Sequence, residues 1–114
     1  MKILGLDISS STIGWAIIEK KDDSFNLFSY GHIKPMPSRK GSMTERLFDA
    51  YNKIKDLLSS ESFDHIAVEQ YANKFSAGRS SAKTIIVLSS FNEVVCLSCY
   101  ANKKIIPDKI SPAS

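Results

Sequence analysis

Two short apolar runs in this chain each carry one acid, and together they constrain the fold more than any other feature. Lys2-Ile3-Leu4-Gly5-Leu6-Asp7-Ile8 reads as a strand buried on both faces. An ionised carboxylate in such a place shifts its pKa, finds a partner or binds a metal. Glu69 closes the run Ile66-Ala67-Val68 in the same way and is followed at once by polar, aromatic and basic residues. Either acid alone reads equally well as a strand-end carboxylate in solvent or beside a lysine. Two buried strands that each end in an acid point to a shared divalent-cation site, so the fold must bring those two strand ends together.

The pattern between the acids supplies the means. Residues 2–8 and 13–20 read as strands joined by Ser9-Ser10-Ser11-Thr12, and residues 25–33 as a third strand after the polar turn Lys20 to Ser24. Three strands in succession predict an antiparallel meander. Lys34 to Gly41, with Pro35 and Pro37, reads as a loop. Ser42 then stands three residues before Glu45 as a capping box, and Met43, Leu47, Ala50, Tyr51, Ile54, Leu57 and Leu58 share one helical face to about residue 59. A fourth strand over about 64–70 follows a helix and is therefore expected to lie parallel to the first. Neighbouring strands lie about 4.8 Å apart, a spacing that suits two acids sharing a cation.

Residues 81–101 read as a second long helix, apolar nearly all round. Val87, Leu88, Phe91, Val94, Val95 and Cys99 line one side and Ile86, Ser90, Glu93, Leu97 and Tyr100 the other. One side can pack on the sheet, and the second predicts a subunit interface, hence a homodimer through this helix. Lys103 to Pro107 reads as a fifth strand, and Asp108 falls beside its end. Ser111-Pro112-Ala113-Ser114 reads as the start of a further helix, so the chain is expected to be the N-terminal portion of a longer protein.

At 114 residues the chain has material for one domain, 1–114, and its 43% hydrophobic and 24% charged residues are those of an ordinary globular protein. A net charge of +3 announces no polyanion partner by itself. Local clusters say more: Lys74, Arg79 and Lys83 occur without an intervening acid, as do Lys34, Arg39 and Lys40, which makes them candidate phosphate contacts. Tyr71 and Phe75 lie among the first group and could stack on unpaired bases. Any one of these cations reads equally as a solvated loop side chain, and Phe75 as a residue tucked into the core. Strand periodicity from residue 2 leaves no room for a signal peptide, and no apolar stretch approaches the roughly 20 residues of a membrane span, so a cytoplasmic protein is expected. Cys96 and Cys99 read as reduced structural thiols, and His32 and His65, isolated in sequence, as structural or exposed.

The order of three strands, helix, strand, helix, strand, with acids at Asp7 and Glu69, resembles the ribonuclease H-like fold, an α/β architecture with a five-stranded mixed sheet of three antiparallel strands followed by parallel ones. Within it, the segment from Ile3 to Ile18 together with Ile66-Ala67-Val68-Glu69-Gln70 is similar to the RuvC family of Holliday-junction resolvases. The resemblance implies a homodimeric, magnesium-dependent endonuclease that cuts four-way DNA junctions, with Asp7 and Glu69 as its first two catalytic and metal-binding acids and Mg2+ or Mn2+ as cofactor. It also implies that the loop from Tyr71 to Ser80 engages the junction. The family's last two acids lie on a C-terminal helix that has no counterpart here, so the chain alone is expected to be inactive as a nuclease. Ser9 stands where the family usually has glycine, so the turn must be made without the residue that most easily takes positive φ.

Three other readings share these features. An actin-like ATPase or sugar kinase opens with a similar strand, acid and turn, but Ser9 to Ser11 is poor in the glycine that cradles phosphate. A RuvC-like segment of a CRISPR or transposon effector matches the opening, yet only 61 residues lie between Asp7 and Glu69, which favours a free-standing resolvase of bacterial or phage origin. The third is a non-catalytic dimeric interaction module.

Overall fold

The computed structural model describes residues 1–69 and 81–110. Strands β1 (Lys2–Ile8), β2 (Ile13–Lys21) and β3 (Ser24–Ile33) form the expected meander, followed by helix α1 (Met43–Ser59), strand β4 (His65–Glu69), helix α2 (Ala82–Lys103) and strand β5 (Asp108–Ile110). The sheet order is β3-β2-β1-β4-β5, with β2 antiparallel to both β1 and β3 and β4 parallel to both β1 and β5. The two helical connections in this chain, through α1 and α2, are what allow the parallel pairs.

α1 begins where its capping box predicts. The Ser42 hydroxyl accepts from the Glu45 amide at 3.2 Å and the Glu45 carboxylate accepts from the Ser42 amide at 2.9 Å. Ala50, Ile54 and Leu58 are its buried stripe, and they meet Phe91, Val95 and Cys99 of α2 and Leu4, Leu6, Ile8, Ile13, Ile17, Ile66 and Val68 of the sheet in one core. The Ser98 hydroxyl donates to the Tyr51 carbonyl at 2.9 Å and ties the two helices together.

Both helices therefore pack on one face of the sheet. This corrects the expectation that β1 is buried on both faces: its side chains alternate, with Leu4, Leu6 and Ile8 in the core and Ile3, Gly5 and Asp7 on the other face, where Asp7 is exposed. The period-two alternation of a half-covered strand was masked by Ile3 and Gly5, which are not polar.

The fifth strand is also shifted. α2 runs through Lys103, Lys104 closes it in the left-handed conformation (φ 58°), and its amide donates to the Tyr100 carbonyl at 2.9 Å. Ile105 packs against the core, Pro107 is buried, and pairing with β4 starts only at Asp108. Proline has no N–H to give a ladder, so the strand forms after it and not before. By length and composition α2 could also cross a membrane, contrary to the sequence expectation, but here its Phe91, Val95 and Cys99 are core residues.

Candidate active site

The open face of the sheet is organised in rows. β1 pairs with β4 in the register Gly5↔Ala67 and Leu6↔Val68, so the next step sets Asp7 beside Glu69 at the carboxyl ends of two neighbouring parallel strands. At a strand spacing of about 4.8 Å the two carboxylates share one patch of this face. On the other side of β1, Asp7 pairs with Gly14, and Gly14 pairs with His32. Asp108 pairs with Ala67, which places it on the same face one row behind Glu69, at the start of β5 and not beside its end. Gly5, Asp7, Gly14, Ala16, Tyr30 and His32 line a shallow groove across these rows. Small residues floor it, so a ligand can approach the backbone closely beside Asp7.

The turn that leads from Asp7 into β2 is closed by the side chain of Ser9. Its amide donates to the Thr12 carbonyl at 3.0 Å, its hydroxyl donates to the same oxygen at 2.7 Å, and the Thr12 amide donates to the Ser9 hydroxyl at 3.0 Å. Among the described residues other than glycine only Asp22 and Lys104 have positive φ, so Ser9 replaces the usual glycine by hydrogen bonding and not by backbone strain. Arg46, which the sequence reading did not single out, anchors this turn: its guanidinium donates to the Ser10 carbonyl at 3.3 Å and to the Met36 carbonyl at 3.0 Å and lies 5.2 Å from the Phe91 ring centre. An arginine on the buried side of a capped helix, beside a proline loop, is the signal that could have revealed it.

The predicted nucleic-acid contacts divide. Lys83 lines a groove with Ser38, Gly41, Met43, Arg46, Ile86 and Val87, so the N-terminal turn of α2 meets the proline loop. Arg39 and Lys40 sit exposed on a 3-10 turn (Ser38–Lys40) in that loop. Tyr71, Lys74, Phe75 and Arg79 lie outside the described residues. His32 and His65 are exposed, as expected, but His32 is not isolated in space, because the β2–β3 register returns it to the row of Asp7. Cys99 is buried and its thiol is pushed up to about 12 by desolvation, then by Cys96; burial also raises Cys96. Neither is a thiolate at neutral pH, and among the described residues no three His, Cys, Asp or Glu side chains meet at one point.

This geometry has counterparts. A family model described as crossover junction endodeoxyribonuclease RuvC matches residues 3–109. The chain belongs to the RuvC family. The RuvC of Caldicellulosiruptor saccharolyticus is 33% identical over 103 residues, covering 90% of this chain and 58% of that protein. The RuvC of Clostridioides difficile is 29% identical over 105 residues, covering 91% of this chain and 57% of its own length. The chain thus spans less than two thirds of these relatives. Among solved structures, T. thermophilus RuvC in complex with a Holliday junction substrate superposes with a TM-score of 0.80 at 13% identity, covering 98% of this chain and 66% of that one. A PPX-GPPA enzyme of Aquifex aeolicus superposes at 0.56 with 11% identity, covering 98% and 36%. At such identities the likeness is one of fold, the ribonuclease H-like fold of RuvC.

Proposed function

We propose that this RuvC-family chain carries the first two acids of a metal-dependent endodeoxyribonuclease that resolves Holliday junctions or other branched DNA. The observation that carries the proposal is the placing of Asp7 beside Glu69 on the uncovered face of the sheet. The names of the relatives, crossover junction endodeoxyribonucleases, support it. So does the complex of T. thermophilus RuvC with a Holliday junction.

The donor set fits a hard cation. Two carboxylates share one patch, Asp7 is open to solvent, and the buried Cys99 thiol lies in the core and not among them. Oxygen ligands of this kind suit Mg2+ or Mn2+. Bound there, a pair of such ions supplies an activated water and neutralises the leaving oxygen of a phosphodiester. The residues of this chain hold and orient. Asp7 and Glu69 fix the cation positions, and Gly5, Gly14 and Ala16 keep the sheet surface low enough for a nucleic-acid strand to lie across it. Lys83, Arg39, Lys40, Lys74 and Arg79 supply backbone phosphate contacts, and Tyr71 and Phe75 stack on unpaired bases. The enzyme works as a cytoplasmic homodimer through α2, whose Ile86, Leu97 and Tyr100 are 63%, 58% and 48% exposed.

The actin-like alternative is weakened by the turn after Asp7. The amides of Ser9 and Thr12, which a phosphate cradle would need, are bonded inside the turn. Two carboxylates hold Mg2+ weakly when water fills the other positions, so little cleavage is expected of the 114-residue chain alone. The test is cleavage and binding of four-way, forked and linear duplexes by full-length protein carrying Asp7→Asn or Glu69→Gln. Both variants should bind junctions and fail to cut; near wild-type cutting by either one removes that acid from the mechanism.

A further inference from the structure

We propose that Arg46 is a positioning residue for cleavage: its guanidinium locks the turn that follows Asp7 to the loop that carries Arg39 and Lys40, and so sets where bound DNA lies relative to the acid. The proposal rests on the reading of Asp7 as a cation ligand and of that loop as a phosphate contact. It adds the residue that joins the two.

The turn is closed from inside, by the bonds between Ser9 and Thr12. Among the described residues, one hydrogen bond ties residues 9–12 to a part of the chain outside the β1–β2 hairpin, and Arg46 donates it, from Nη2 to the Ser10 carbonyl at 3.3 Å. The proline loop is fastened to α1 at three points. The Met36 amide donates to the Asp49 carboxylate at 2.8 Å, the Lys53 ammonium donates to the Lys34 carbonyl at 2.8 Å, and Arg46 Nε donates to the Met36 carbonyl at 3.0 Å. Arg46 is the side chain that takes part in both sets of bonds.

The surroundings hold its fork in place. The guanidinium lies 5.2 Å from the ring centre of Phe91, which is fully buried in the core on α2. Among the described residues no carboxylate pairs with it, so two carbonyls and the ring are what compensate a half-buried charge. A planar guanidinium serves two acceptors in fixed directions, whereas an ammonium is a point charge on a flexible stem. Arg46 and Ser38 are also common to two grooves, one lined by Ser10 and Lys34 and the other by Lys83. The cations on either side therefore take their spacing from the turn after Asp7 through this residue. Misplacing a reacting group by about 1 Å costs on the order of a hundredfold in rate, so loosening this joint should slow cutting while leaving the binding surface intact.

The test uses full-length protein carrying Arg46→Lys or Arg46→Met, with Asp7→Asn as the control for the underlying reading. Binding of a four-way junction is measured without divalent ion over a range of salt, and single-turnover cleavage with saturating protein in Mg2+. Circular dichroism checks folding, and all rates are taken well below each variant's unfolding midpoint; Arg46→Lys keeps the stem and the charge should Arg46→Met fail to fold. Both variants should bind the junction within about twofold of wild type, with the same salt dependence, and cut it more slowly by about tenfold or more. Weaker binding with a shallower salt dependence and a normal rate at saturation overturns the proposal and makes Arg46 a phosphate contact. A lower unfolding midpoint with binding and rate unchanged overturns it in favour of a purely structural brace. Wild-type cutting by Arg46→Lys also overturns it, because the charge and not the two-acceptor fork is then what matters. Wild-type cutting by Asp7→Asn removes the acid itself from the mechanism and takes this inference with it.

Discussion

Replacing each of two glycines by alanine tests the row geometry through stability alone, because the two lie in adjacent positions of the same pairing but face opposite sides of the sheet. Gly31 pairs with Trp15 on the helix-covered side, and a β-carbon there would meet Trp15 Cζ2 at 2.7 Å and Cε2 at 3.0 Å. Carbon atoms pack best at about 3.5–4.0 Å, so the indole must move by about an ångström. It is rigid and packs against the core, and overpacking of this kind costs about 1–3 kcal/mol. Gly14 faces the open side, and its added β-carbon would find only ordinary contacts at 3.8 and 4.0 Å. With no steric cost, Gly14→Ala should gain about 0.5–1 kcal/mol from the lower entropy of the unfolded chain. The same gain partly offsets the clash in Gly31→Ala, leaving it about 1 kcal/mol less stable than the parent chain. The two variants should then differ by roughly 2 kcal/mol, and at about 4 °C per kcal/mol for a domain of this size their unfolding midpoints should separate by about 8 °C. Thermal unfolding followed by circular dichroism measures this directly. Equal midpoints, or a lower midpoint for Gly14→Ala, would mean that the two faces are assigned the wrong way round, and the placing of Asp7 and His32 would go with them.

Other outcomes follow from the helices and the thiols. Leu97→Glu puts a charge in the exposed stripe of α2, so sedimentation at micromolar concentration should show a dimeric wild type and a monomeric variant; a variant that stays dimeric moves the interface elsewhere. Lys104→Gly relieves a left-handed residue at the end of α2 and should stabilise the fold by about 0.5–1 kcal/mol in urea unfolding. The Cys99 thiol ionises near its ordinary 9.0 when unfolded and only near about 12 when folded. Above pH 9 the unfolded chain therefore binds fewer protons than the folded one. Stability should be unaffected by this group below pH 9 and fall by roughly 1 kcal/mol per unit as pH rises from there toward 12. Urea midpoints at pH 8 and pH 10 measure the loss, and Cys99→Ala should flatten the difference.

Local chemistry was enough to place much of this molecule. The capping box at Ser42 and Glu45 and the stripe of Ala50, Ile54 and Leu58 specify α1 without reference to anything distant, since a cap and a helical period are properties of neighbouring residues. The strands from 2 to 33 announce themselves by their apolar, β-branched and aromatic content and by the polar turns between them. Asp7 and Glu69 stand out because each follows an apolar strand, and the helix between them implies the parallel pairing that makes them neighbours.

What the tertiary structure decided is which side of each strand is covered. α1 and α2 pack on the same face, so Asp7 lies on an open surface and not in a buried strand. No local pattern carries that information, because covering a face requires residues far along the chain. The same holds for His32, which joins the row of Asp7 only through two successive strand registers across Gly14, and for Arg46, whose acceptors at Ser10 and Met36 come from a separate turn and loop. The end of α2 was decided by competition. Residues 103 to 107 have strand-like content, but Lys104 closes the helix, Ile105 and Pro107 turn inward, and proline cannot join a ladder, so β5 begins where backbone N–H groups are again free to pair with β4.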